Sequence, residues 1–205
     1  MTPYSQGLVD IGRLAFKFAQ VNRVTLRDDG EYESDTDHTV MLSICACALA
    51  EALYKEKLDL GKVAQFAIVH DLVEAHVGDT NTINLPQDKR EEKEWREKQS
   101  LERIEQDFKG VYPWIHETIA EYERKESPEA RFVKTLDKAM TKITNIINGG
   151  AAIKKLGTTY EEIELFFENQ MKEYKNKYGD EFPELIEILD ELMKNMLQEM
   201  YAKLH

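Results

Sequence analysis

Four side chains that bind divalent cations well stand in stretches of this chain that are otherwise apolar: His38, His70, Asp71 and Asp137. The most informative stretch is KVAQFAIVHDLVEAHVGD, in which Val63 to Val77 is apolar nearly all round, as in a helix enclosed on most sides. His70 and Glu74 continue its inner stripe of Val63, Phe66 and Ala67, and Asp71 follows about 100° round the helix from His70. An unpaired carboxylate is expensive to bury, so acids placed there need a cation or hydrogen-bond partners. For this segment alone, a buried salt bridge or a capping arrangement answers that need as well as a metal does. His38 leads the stripe Met41, Leu42, Cys45 and Leu49, and Asp137 lies in FVKTLDKAMTKI, one turn after Val133 and beside Leu136. Singly, each reads as a satisfied core residue. Together, two imidazoles and two carboxylates form a mixed nitrogen and oxygen set suited to one Mn2+, Co2+, Fe2+ or Zn2+, with Mg2+ also admitted and Ca2+ less so. Four protein ligands leave open positions on a six-coordinate ion, and catalysis needs such a position.

The elements that must carry these groups are helical. Apolar residues recur at three- and four-residue steps, and alternating β-type segments are absent. A first helix is expected over residues 3–20, with Leu8, Ile11, Leu14, Ala15 and Phe18 facing inward, followed by a polar loop from Arg27 to Asp35. Ser34 or Thr36 caps a second helix that reaches Tyr54, and Asp59 caps a third that reaches Val77 and stops at Gly78. A turn-rich link leads to the charged helix DKREEKEWREKQSLERIEQDF, whose i,i+4 pairs suit a solvated outer face. A short helix begins near Pro113, and another spans residues 128–148 and ends at Gly149-Gly150. Two amphipathic helices, near residues 159–177 and 182–204, close the chain, as caps on the core or as a dimer surface.

A formal charge of −12, from 39 acids against 27 bases, argues against nucleic-acid polymers and anionic membranes as partners. A small anion can still bind if a metal or a local arginine offsets that field. No apolar run approaches the roughly 18 to 20 residues of a membrane span, and the N-terminus MTPYSQGLVDIGRLAF lacks the pattern of a signal peptide. Cys45 and Cys47, two apart on a helix, point to different sides and read as buried small apolar residues in a reducing cytoplasm.

A histidine near the start of one helix, a His-Asp doublet about thirty residues on and a distant aspartate resemble the pattern of the HD-domain phosphohydrolases. The segment HDLVEAHVGD is similar to the branch that contains bacterial 5′-deoxynucleotidases, where His-Asp-x-x-Glu-x-x-x-Gly-Asp recurs; Arg23 also falls where that branch carries an arginine. The resemblance covers about residues 8–150. It implies an all-α HD-domain helical bundle with two additional C-terminal helices, forming one domain over residues 1–205. It further implies that His38, His70, Asp71 and Asp137 hold the metal and that Glu74 orients or deprotonates the attacking water. Asp79, with Thr80 beside it, would face the sugar, accepting from the 3′-hydroxyl and crowding out a 2′-hydroxyl, and Arg23 would bind phosphate. The activity implied is hydrolysis of nucleoside 5′-monophosphates, and the amphipathic terminal helices make a homodimer the expected assembly. Cyclic nucleotides, dinucleotides or nucleoside triphosphates are the alternative substrates, and a non-catalytic helical protein with a structural metal is the rival reading. A pyrophosphohydrolase with clustered inward glutamates fits less well, because the charges from Glu91 to Glu105 spread round all faces. The chain departs from the pattern at Asp37-His38-Thr39, at Asp79-Thr80-Asn81-Thr82-Ile83 and at Val24, and His76 is extra to it, a surface or supporting residue.

Overall fold

Each long helix near the N-terminus begins at a residue whose side chain can satisfy the first free backbone N–H groups. The computed structural model describes residues 1–81 and 85–202, with Tyr201 described by its backbone alone. Thr2 caps α1 (Pro3–Phe18) by accepting from the Ser5 N–H, and proline opens its first turn. Ser34 and Asp37 form a reciprocal capping box on α2 (Asp35–Leu53). Asp59 accepts from the Lys62 N–H at the start of α3 (Leu60–Val69). The inner face of α1 is narrower than expected: Leu14 and Phe18 are buried, whereas Leu8 and Ala15 lie outward.

Two corrections concern local structure near the site. The stretch after α1 contains a β-hairpin, β1 (Asn22–Leu26) and β2 (Tyr32–Ser34), where no strand was expected. Strands of five and three residues are too short to display a two-residue period. The turn between them uses Gly30 at φ +86°, where a side chain would be strained. The expected third helix also does not run unbroken to Val77. It ends at Val69, and a short α4 (Glu74–Val77) follows a turn. Through that turn the bonds run to the third residue back: Leu72 to Val69, Glu74 to Asp71, Ala75 to Leu72 and His76 to Val73. This is 3₁₀-like geometry, which lines up residues three apart.

Downstream come α5 (Gln87–Phe108), α6 (Trp114–Arg124), α7 (Pro128–Asn148), α8 (Ala151–Leu156), α9 (Tyr160–Tyr178) and α10 (Pro183–Ala202). The six-residue α8 was not expected, being too short for a periodic pattern; Gly150 and Gly157 bound it in left-handed conformations. Thr82 and Ile83, and the expected end of the last helix at Leu204, lie outside the described residues.

The chain divides into two compact units, one of residues 1–23 and 34–130, the other of residues 24–33 and 131–205. In the first, α2 packs along α3, α6 packs against α3 and α5, and α4 lies against α1 and α5. Its core includes Leu14, Val69, Val73, Ile104, Phe108, Ile115 and Ile119. In the second, α9 packs on α10, Phe132 meets Phe182 edge to face, and Arg131 grips Glu181 through two bonds of 2.7 Å.

Against expectation, α2 is long and apolar enough by composition to cross a bilayer, with a mean hydropathy of 1.2 over 18 residues. It packs on α3 and carries Asp35 and His38 buried in a polar cluster. Cys45 and Cys47 are free thiols on it, half-buried rather than enclosed, and burial pushes both above the usual thiol range.

Candidate metal centre

The first unit brings three of the four expected ligands together. His38 stands on the first turn of α2, held in place by the Ser34–Asp37 capping box. His70 and Asp71 follow the last residue of α3, where the chain enters its tight turn. His70 Nε2 lies 3.0 Å and His38 Nε2 3.8 Å from Asp71 Oδ2, with the two imidazole centroids 5.2 Å apart. One ligand atom from each residue falls within 4.8 Å of the others, a spacing one cation can bridge. Both histidines are buried, so the donors are held rather than swinging in solvent.

The tautomer of His70 fits the same purpose. Its Nδ1 lies 2.9 Å from the Ala67 carbonyl, which can only accept, so Nδ1 carries a proton and the neutral ring presents its lone pair at Nε2, the atom that faces Asp71. A ring N–H donated to a backbone carbonyl is the usual support of a metal-binding histidine. Tyr122 meets the His70 ring in a T-shaped arrangement, with 6.3 Å between centroids.

Arg23 closes one side of the cluster. Its Nη1 donates to Asp71 Oδ2 and to Asp35 Oδ1, each at 3.1 Å. Asp35 is fully buried, and sequence reasoning missed it because an acid in the first turn of a helix looks like an ordinary dipole partner. Burial pushes its carboxyl up to about 6; Arg23 opposes this and the Asp71 charge adds to it.

Glu74 is the other deeply buried acid, 3% exposed. It does not continue the face of His70 as expected: the 3₁₀-like turn aligns it with Asp71, three residues before it. Burial pushes its carboxyl up to about 10; the Asp71 charge adds to that and Lys93 opposes it. Lys93 Nζ donates to Glu74 Oε1 at 3.1 Å and also pairs closely with Glu97. Burial alone would pull Lys93 down, but the charges of Glu74 and Glu97 outweigh it and hold the ammonium above its usual range. The pair therefore resists losing its proton.

These contacts correct the expectation that the charged helix is only a solvated outer face. Lys93, Arg96 and Ser100 of α5 reach back along one side, to Glu74, to Val77 and Thr80, and to the Val73 carbonyl. The expectation failed because inward and outward charges in a helix of this composition look alike in sequence.

Asp79 is half-buried, and its charge raises both Glu74 and Asp35. Thr80 accepts from Arg96. Asp137 lies in the second unit on α7, nearly enclosed, where Lys138 Nζ donates to its Oδ2 at 2.7 Å. Val24 is half-buried in the same unit. His76 is half-buried on α4 and lines a cavity of about 270 Å³ with Arg13, Lys17 and Asp107.

An all-helical unit that gathers two histidines and a neighbouring aspartate is what the HD domain is named for, and an HD-domain family profile matches residues 17–186. The chain belongs to that family. It is 30% identical over 137 residues to the 5′-deoxynucleotidase HDDC2 of Homo sapiens, which covers 65% of this chain and 64% of the relative. It is 31% identical over 135 residues to the Mus musculus protein of the same name, covering 64% of each. The chain thus spans about 64% of the length of these curated relatives. A crystal structure from Magnetospirillum magnetotacticum, described as a predicted metal-dependent phosphohydrolase, superposes with a TM-score of 0.72 at 22% identity, covering 97% of each chain. A conserved hypothetical protein from Pyrococcus furiosus gives a TM-score of 0.60 at 26% identity, over 89% of this chain and 99% of the other. The first of these supports the fold alone.

Proposed function

We propose that this chain is a divalent-metal-dependent phosphohydrolase that cleaves nucleoside 5′-monophosphates to nucleoside and phosphate. The observation that carries the reading is the cluster of buried His38 and His70 with half-buried Asp71, in which the Ala67 carbonyl engages His70 Nδ1 and Nε2 faces Asp71. The relatives named 5′-deoxynucleotidase support the substrate class.

In this reading His38, His70 and Asp71 hold the ion and Asp137 is the fourth ligand. When bound, the cation supplies Lewis acidity, drawing electron density from a phosphoryl oxygen and acidifying water. Glu74, aligned with Asp71 and clamped by Lys93, would take the proton of the attacking water in its charged form, which a nearby bound cation favours. Arg23, steered by Asp35, brings a fixed positive charge to the edge of the cluster. In a chain of net charge −12, that charge offsets the field a phosphate would otherwise meet and the negative charge that grows as the bond breaks. Asp79 faces the sugar, with Thr80 beside it.

The test is phosphate release from a panel of nucleoside monophosphates, cyclic nucleotides, dinucleotides and triphosphates, each assayed with Mn2+, Co2+, Fe2+, Zn2+ and Mg2+. Release fastest from monophosphates is the expected result. Stoichiometric ion binding without release from any nucleotide would make the metal structural.

A further inference from the structure

Residues 78–81, which follow α4, have no secondary structure of their own, yet two contacts pin them. At one end, the Gly78 N–H donates to the Glu74 carbonyl at 2.8 Å, with Gly78 at φ +75°. At the other, a single side chain of α5 spans the bend: Arg96 Nη1 donates to the Val77 carbonyl at 3.3 Å and Nη2 to Thr80 Oγ1 at 3.1 Å. Asp79 sits between these anchors. A guanidinium holds its donors in a rigid plane, so bonding two acceptors three residues apart fixes their separation; a lysine would supply donors from a single nitrogen on a flexible stem.

Arg96 is itself referenced to the site. One turn before it, Lys93 grips Glu74, and one turn after it, Ser100 Oγ donates to the Val73 carbonyl at 2.6 Å. The elements on either side of Asp79 are thus read off one face of the 22-residue α5. Other basic residues of that helix do something simpler: Lys89, for example, pairs with Glu92 on the exposed surface.

We propose that Arg96 is a positioning residue that sets discrimination between 2′-deoxyribose and ribose, by fixing the segment on which Asp79 is carried. The proposal rests on the nucleotidase reading above and goes beyond it in placing sugar specificity under the control of α5. A carboxylate can accept from one sugar hydroxyl and exclude its neighbour only if it is held to within about 0.5 Å. On a segment tied at Gly78 alone, Asp79 swings far enough to admit the extra hydroxyl.

The test compares kcat/KM for a 2′-deoxyribonucleoside 5′-monophosphate and its ribonucleoside counterpart in the wild type, Arg96→Met, Arg96→Lys, Thr80→Val and the double variant R96M/T80V. Mn2+ affinity by calorimetry and helical content by circular dichroism are read alongside. The deoxy-to-ribo ratio should fall about tenfold in R96M, the size of one lost charge-assisted hydrogen bond, with Mn2+ affinity unchanged. T80V should lower the ratio less, since the bond to Val77 remains, R96K should recover part of it, and the double variant should be no worse than R96M, in which the Thr80 bond is already lost. An equal loss on both sugars, additive effects of R96M and T80V, or a wild type indifferent to the sugar would overturn the proposal. Absence of phosphate release from the wild type with any metal removes the nucleotidase reading first and this proposal with it.

Discussion

Replacing Lys93 with methionine removes the ammonium that reaches Glu74 while keeping a side chain of similar length. Breaking a buried ion pair by deleting one partner commonly costs about 3–5 kcal/mol, because the other charge is stranded. Here Glu74 has an escape. Burial already pushes its carboxyl up to about 10, with Lys93 among the groups opposing the rise, so in the ion-free variant it stays protonated at neutral pH rather than remaining as a bare charge. The loss reduces to one charge-assisted hydrogen bond, about 2 kcal/mol. For a chain of this size that is a fall in Tm of about 4–8 °C. The effect on turnover is larger: with an ion bound, the cation and Lys93 would together favour the charged carboxylate, and without the ammonium more of the carboxyl stays protonated and unable to accept the proton of water, a role that contributes about 10²- to 10⁴-fold. K93M should therefore lower kcat at least about a hundredfold, with KM and Mn2+ affinity little changed and Lys93→Arg restoring part of the activity. A bound cation draws the carboxyl down, and losing Lys93 lets it up, so the acid limb of the pH–rate profile should move to higher pH. Thermal melts, phosphate release across pH and calorimetry with Mn2+ give the three readouts. An unchanged kcat would refute the argument, as would joint loss of folding and metal binding.

Asp71→Ala should abolish Mn2+ binding in calorimetry and phosphate release together, while circular dichroism keeps its helical signal. Glu74→Ala should lower turnover with the metal still bound, and loss of metal in that variant would reassign Glu74 as a ligand. Asp137→Ala should weaken Mn2+ binding if it is the fourth ligand, and unaltered affinity would leave the set at three. Lys142, fully enclosed on α7 with its Nζ on the Lys138 carbonyl and Gln170, is pulled by burial from 10.5 to about 7. Its folded value lies below its unfolded one, so the unfolded chain binds the extra proton between about 7 and 10.5 and stability should climb with pH across that window. Denaturant melts over that range should show the climb, and Lys142→Met should flatten it.

Much of the centre was legible in the residues themselves. An acid and an imidazole on an otherwise wholly apolar helix have few explanations, because low-dielectric surroundings admit such groups only with partners. That argument, with helical spacing, singled out His38, His70, Asp71 and Asp137; the structure gathers the first three, with His38 on α2 as expected and His70 and Asp71 in the turn that follows α3 rather than within a helix. Capping chemistry placed the starts of α2 and α3 for the same local reason: the side chain of Ser34 or Asp59 satisfies backbone groups within three residues of itself. The rest depended on contacts distant in sequence. Glu74 and Lys93 are 19 residues apart, Arg23 and Asp71 are 48 apart, and Arg96 reaches Val77 and Thr80 across a turn. A lysine facing water and a lysine facing a buried carboxylate look identical in a charged helix, since only the neighbouring element decides which it is. The tightening of the chain at residues 70–76 was equally hidden, because apolar side chains suit an α-helix and a 3₁₀-like turn alike, yet it is that turn which aligns Glu74 with Asp71. Sequence, then, named the donors that could share an ion, and tertiary packing chose the groups that orient them, because charge is a property of the residue whereas its partner is a property of the fold.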